Sequence, residues 1–139
     1  MRLEDAYSIF KEIERSVGKL KDRTGYLPDE FDYNTDDLEE RYEHDMALVA
    51  LNKLGDVVSI LEWINKPVKR EGYLTKNPST GRYEFEGTDI YFTSGEPLDV
   101  WDEDWESWHH SRVEHSNGDY YIVALGKEKP IEGVKVRVR

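Results

Sequence analysis

Trp108-His-His-Ser-Arg-Val-Glu-His115, Ser116-Asn117-Gly118-Asp119 and Tyr120-Tyr-Ile-Val-Ala-Leu125 run on without a break, and together they read as a β-hairpin. Asn117-Gly118 sits between two β-prone runs. A two-residue type I′ turn needs φ > 0 at both central positions, which Asn and Gly tolerate best. The returning strand alternates Tyr121, Val123 and Leu125 against Tyr120, Ile122 and Ala124. Both faces are apolar enough for burial, so the strand belongs inside a small barrel or between layers. Tyr121, Val123 and Leu125 are the expected core set.

Upstream, the pattern alternates back to Pro67. Val68–Lys76 is a strand candidate, Asn77–Gly81 a turn, and Arg82–Glu86 a second strand with Tyr83 and Phe85 on one side. Ile90–Phe92 and Leu98–Trp101 follow as short strands, each behind a glycine-containing turn. Downstream, Gly126–Gly133 reads as a connector, and Val134–Arg139 as a closing strand with three valines inward and Lys135, Arg137 and Arg139 outward. Short strands at these intervals predict a small SH3-like antiparallel β-barrel over residues 67–139.

Before Pro67 the period is helical. Leu3, Ala6, Phe10, Ile13, Val17 and Leu20 share one face of a helix over residues 3–20. Residues 22–35 form a connection broken by Gly25 and Pro28, with Tyr26, Leu27, Phe31 and Tyr33 placed to pin it to a helix. A second helix then runs from a cap at Asn34 or Thr35 to a stop set by Pro67, with Leu38, Tyr42, Ala47, Leu51, Leu54, Val58 and Leu61 among its apolar positions. The expected fold is α+β: an acidic antiparallel helical hairpin over residues 1–66, then the barrel.

Charge bounds the partners. The net charge is −11. Residues 1–65 hold 8 Lys/Arg against 16 Asp/Glu, a net of −8, and residues 66–139 hold 11 against 14, a net of −3. Such a balance disfavours general binding to nucleic-acid backbones or anionic membrane surfaces. There is no cysteine, no apolar run of spanning length and no signal-peptide pattern at the N-terminus, so a cytoplasmic protein is expected.

Several segments echo a known pattern. Glu71-Gly72-Tyr73-Leu74, Gly81-Arg82-Tyr83-Glu84, Ser94-Gly95 before Leu98-Asp99-Val100, and Trp108 before Arg112-Val113-Glu114 come first. Asn117-Gly118-Asp119-Tyr120-Tyr121 and Glu132-Gly133-Val134-Lys135-Val136-Arg137 complete it. Over roughly residues 68–139 the chain resembles domain-of-unknown-function family 5348, short Firmicute proteins often found in mobile-element settings. The resemblance implies a small β-rich domain of bacterial or phage origin and brings no catalytic residues.

The candidate chemistry is sparse. His109, His110 and His115 lie near Asp102, Glu103, Asp104 and Glu106, but adjacent residues of a strand point to opposite faces, so His109 and His110 cannot readily share an ion. Glu40, Glu43, His44 and Asp45 read as ordinary exposed helix charges. No phosphate loop, nucleophile elbow or Ser-His-Asp arrangement is visible, so neither catalysis nor a cofactor or metal is expected. The aromatic supply points elsewhere. Trp101, Asp102, Asp104, Trp105 and Trp108 form an aromatic–acidic stretch suited to a protein partner, with Trp101 and Trp105 as the expected surface anchors. A homodimer through the helices is a further expectation. The alternative is weak nucleic-acid contact by Lys135, Arg137 and Arg139, against a reading as solvated strand charges.

Overall fold

Pro67 divides the chain into two compact units, Met1–Lys66 and Pro67–Arg139. The computed structural model describes residues 1–24 and 31–139. The expected breaks at Gly25 and Pro28, and the expected contacts of Tyr26 and Leu27, lie outside the described residues. The fold is α+β: two helices followed by a six-stranded antiparallel sheet curled into a half-barrel.

In the first unit, α1 spans Leu3–Thr24 and α2 spans Leu38–Asn65. They run antiparallel: Tyr7 and Phe10 border one hollow with Leu61, while Ile13, Val17 and Leu20 border another with Leu54. α2 starts later than its expected cap. Asp37 is the N-cap, its carboxylate accepting from the backbone N–H groups of Glu39 and Glu40 at 2.8 and 3.2 Å. Asn34 instead builds the approach, accepting from Asp36 N–H at 3.1 Å and donating its own N–H to the Glu40 carboxylate at 2.6 Å. A carboxylate on the positive helix end outcompetes a hydroxyl there. Lys66, at φ −83° and ψ 141°, ends α2 because a residue before proline is driven into the extended region. Phe31 and Tyr33 do pin the connection, through edge and stacked contacts with His44 at centroid distances of 6.2 and 4.1 Å.

The second unit contains β1 (Arg70–Lys76), β2 (Tyr83–Phe85), β3 (Pro97–Asp102), β4 (Ser107–Ser116), β5 (Asp119–Ile122) and β6 (Lys135–Val138). Their order in the sheet is β2-β1-β6-β3-β4-β5. The closing strand thus sits in the middle, between β1 and β3. Ile90–Phe92 does not form a strand of its own and makes a single bridge, Glu84 to Tyr91. Its Phe92 is nevertheless buried, with its ring 5.3 Å from that of Phe85. No ladder joins β2 to β5 among the described residues. A side-chain contact ties β5 across to β1 instead, Lys76 reaching Asp119 at 3.0 Å.

The core lies on one face of this sheet. Leu74, Phe85, Leu98, Val100, Val113, Ile122 and Val136 are almost completely buried, each gaining about 1.5–3 kcal/mol from leaving water. Ile131, in what the sequence presents as a plain connector, is fully buried among them. Gly72 faces the same side, and a Cβ there would lie 3.1 Å from the Phe85 ring.

The opening hairpin forms with its expected turn. Asn117 and Gly118 have φ of 52° and 79°, and Ser116 pairs with Asp119. The expected core set is corrected: Ile122 is the fully buried residue of β5, Tyr121 is half-buried and Val123 is exposed. The two-residue turn sets Ile122 opposite Val113, the apolar residue on the inner face of β4, and this decides which side points inward. The strand also stops early. Val123–Leu125 coils into a 3-10 turn, and Ala124 N–H donates to Ser111 Oγ at 2.9 Å in place of a ladder bond. That turn swings Leu125 back against the core.

Candidate functional site

Side chains alternate across a strand, so the face opposite the core is set by register. Tyr73 pairs with Lys135, Glu71 with Arg137, Asp99 with Arg137 and His110, and Trp101 with Trp108. These residues of β1, β6, β3 and β4 therefore share one face.

Asp99 is its anchor. It is 4% exposed, the buried charged residue among the described residues. A carboxylate taken out of water needs charged or hydrogen-bonded partners. Arg137 Nε donates to its Oδ2 at 2.9 Å, Arg139 Nε lies 3.6 Å from the same oxygen, and His110 Nδ1 is 3.2 Å from Oδ1. The C-terminal cations are thus held inward by a buried acid on the neighbouring strand.

The aromatic half of the face takes up the remaining charge. The indoles of Trp101 and Trp108 meet edge to face at 5.4 Å. Arg137 Cζ lies 4.4 Å from the Trp108 centroid, and Lys135 Nζ lies 5.6 Å from Trp108 and 5.8 Å from Trp101. Each such contact contributes about 0.5–1 kcal/mol where water has access. Lys135 also pairs with Glu71 at 3.0 Å. Beside this ladder is a cavity of about 290 Å³, bordered by Tyr73, Trp101, Glu103, Lys129 and Lys135.

The loop between β3 and β4 rises from the same end. Asp102 Oδ1 accepts from the N–H groups of Asp104 and Trp105 at 2.9 and 3.2 Å, an Asx-type turn. Glu106, at φ 49°, completes the reversal. Trp105 stands at the tip, 78% exposed.

The five residues expected to meet a partner are therefore sorted. Trp101 and Trp108 are half-buried and pack on each other, so Trp101 belongs with Trp108 and not with Trp105 as an anchor. Asp102 shapes the loop, while Asp104 and Trp105 are presented to solvent. Lys135, Arg137 and Arg139 share one face, but they are drawn into ion pairs and indole contacts instead of standing solvated. His109 lies on the other face of β4 from His110, with its Nε2 3.7 Å from Asp102. Among the described residues no group of three or more His, Asp or Glu side chains is placed to hold a metal ion. Asp99 escaped the sequence reading. Its signal is an acid flanked by Leu98 and Val100 within a strand, whose burial becomes visible only when Arg137 and His110 are aligned beside it.

The comparisons with known proteins follow the sheet. Residues 72–138 match the family model of a domain of unknown function, DUF5348. The match runs from β1 through β6, so the DUF5348 region includes Asp99, the Trp101–Trp108 pair and the cations that join them. The helices lie outside it. Neither a curated protein nor a solved structure matches the chain.

Proposed function

We propose that the β-unit is a non-catalytic protein–protein interaction module, and that its contact surface is the β3–β4 loop with the aromatic face at its base. The observation that carries this reading is Trp105. A tryptophan 78% exposed at the tip of an ordered turn is a large apolar group without a structural task, and tryptophan is enriched among the residues that dominate binding energy. Glu103, Asp104 and Glu106 surround it, so the partner is a protein segment with an apolar anchor and basic flanks. In this reading the half-barrel works as SH3-like modules do, with ligand contacts on exposed aromatics between strands. The setting is the bacterial cytoplasm, in a mobile-element protein of the Firmicutes.

Affinity capture with the full chain tests it. A basic partner bound by the native chain and lost with Trp105→Ala supports the reading, and a partner list unchanged by that substitution contradicts it. The second reading is nucleic-acid contact by Lys135, Arg137 and Arg139. The shared orientation of the three cations favours it, while their engagement with Glu71 and Asp99 weighs against it. A salt-dependent gel shift reduced by Arg137→Ala/Arg139→Ala would support this second reading.

A further inference from the structure

The helical unit has a thin core. Among the described residues its buried apolar side chains are Val17, Leu51 and Leu61, and helical hairpins of this size are commonly stabilised by adding a further layer. α2 carries a surface for one. Besides the side that meets α1, it has a second apolar stripe, in which Leu38, Tyr42, Met46, Val49, Val57 and Ile60 remain 40% to 77% exposed. At 3.6 residues per turn these six fall within an arc of about 100°, centred roughly 130° around the helix from the Leu51–Leu61 side. Four charges lie in or beside the stripe, Glu39 and Asp45 toward its N-terminal end and Lys53 and Asp56 further along, and neither Lys53 nor Asp56 has an ion-pair partner among the described residues.

We propose that this stripe packs antiparallel on the same stripe of a second copy of the chain, each Lys53 pairing with Asp56 of the other helix and each Val49 packing on Ile60. The register follows from symmetry. In an antiparallel pair of identical helices all facing positions are centred on one point, and Lys53–Asp56 and Val49–Ile60 share the same centre, between Leu54 and Gly55. A two-fold axis there makes both contacts twice, as an isologous interface requires. A parallel pair would set Lys53 against Lys53 and Asp56 against Asp56, which repel. The occupant is a second copy because Lys53 and Asp56 complement each other across the axis. About this axis α2 overlaps its copy over residues 44–65, roughly 32 Å at 1.5 Å per residue, a stretch that takes in Met46, Val49, Val57 and Ile60, and two hairpins joined along it form a four-helix layer. The Lys53–Asp56 pairs in this seam fix its register, as isolated polar positions do in helical interfaces.

Sedimentation of the full chain tests this independently of the β-unit's partner. The native chain is expected to be a dimer, and Val49→Glu/Ile60→Glu to be a monomer with unchanged helicity by circular dichroism. Lys53→Asp alone and Asp56→Lys alone are each expected to weaken dimerisation about tenfold or more, and the combined exchange to restore it. The exchange decides the matter even if the glutamate variant loses helicity. A native chain that stays monomeric at high micromolar concentration overturns the proposal. So does a dimer indifferent to the glutamates, or a combined exchange that fails to recover.

Discussion

Asp99 gathers His110, Arg137 and Arg139 around one buried carboxylate. Removing its carboxylate takes a shared acceptor from two arginines whose side chains are 20% exposed, and breaking a buried pair by deleting one partner costs about 3–5 kcal/mol. Asp99→Ala is therefore expected to lower the unfolding free energy by about 3 kcal/mol in urea titration, with near-ultraviolet circular dichroism reporting the loosened Trp101–Trp108 contact. Ile122 and Val123 give a second contrast at this scale. Ile122→Ala is expected to cost about 2–5 kcal/mol, while Val123→Ala stays within about 0.5 kcal/mol. Equal effects of the two would contradict the assigned inner face. That face was legible in principle: a two-residue turn at Asn117-Gly118 forces Ile122 opposite Val113. The apolar content of both faces of Tyr120–Leu125 masked it, because alternation alone cannot choose between two apolar sides.

Among the elements, the hairpin turn and the side-chain closure of the sheet carry separate predictions. Gly118 has φ of 79°, so Gly118→Ala should destabilise by about 1 kcal/mol through left-handed strain, measurable as a lowered urea midpoint. The closure titrates. The Tyr120 backbone N–H and the Lys76 ammonium hold the Asp119 carboxyl below its ordinary value, and Asp119 in turn raises Lys76. A depressed carboxylate contributes stability that is present above its unfolded pKa and is lost as pH falls through the folded value. The contribution of Lys76 is complete below its ordinary pKa and lost as pH rises through the raised one. Stability is accordingly expected to fall on acidification below about pH 4, and Asp119→Asn should flatten part of that fall, as followed by thermal unfolding against pH. The pairing of the hairpin was readable from turn residues and alternation, whereas the strand count was one too high, because Ile90–Phe92 makes a single bridge and no strand. Barrel closure was not readable, because it depends on whether the short β2 and β5 meet by backbone, and here β5 is tied by a side chain to β1, Lys76 to Asp119.

At the scale of the whole chain, the boundary at Pro67 separates the two surfaces on which the proposals rest: an exposed apolar helix stripe and an aromatic loop above a cation–indole ladder. The sequence revealed the residues of the second surface, since tryptophans beside an acidic run are conspicuous. Their sorting into packed Trp101 and Trp108 and presented Trp105 required the register of β3 on β4. No helix among the described residues is long and apolar enough to cross a membrane. The central claim is that Trp105 and its acidic neighbours, and not the cations of β6, make the contact that defines function. The most direct test is the dissociation constant of a captured partner, measured by titration against the native chain, Trp105→Ala and Arg137→Ala/Arg139→Ala, each checked for folding by circular dichroism. Loss of a tryptophan at the centre of an interface typically costs about 2 kcal/mol or more. The account predicts that Trp105→Ala weakens binding at least about thirtyfold, with a smaller effect from the arginine pair. Binding that survives Trp105→Ala and disappears with the arginines would contradict it.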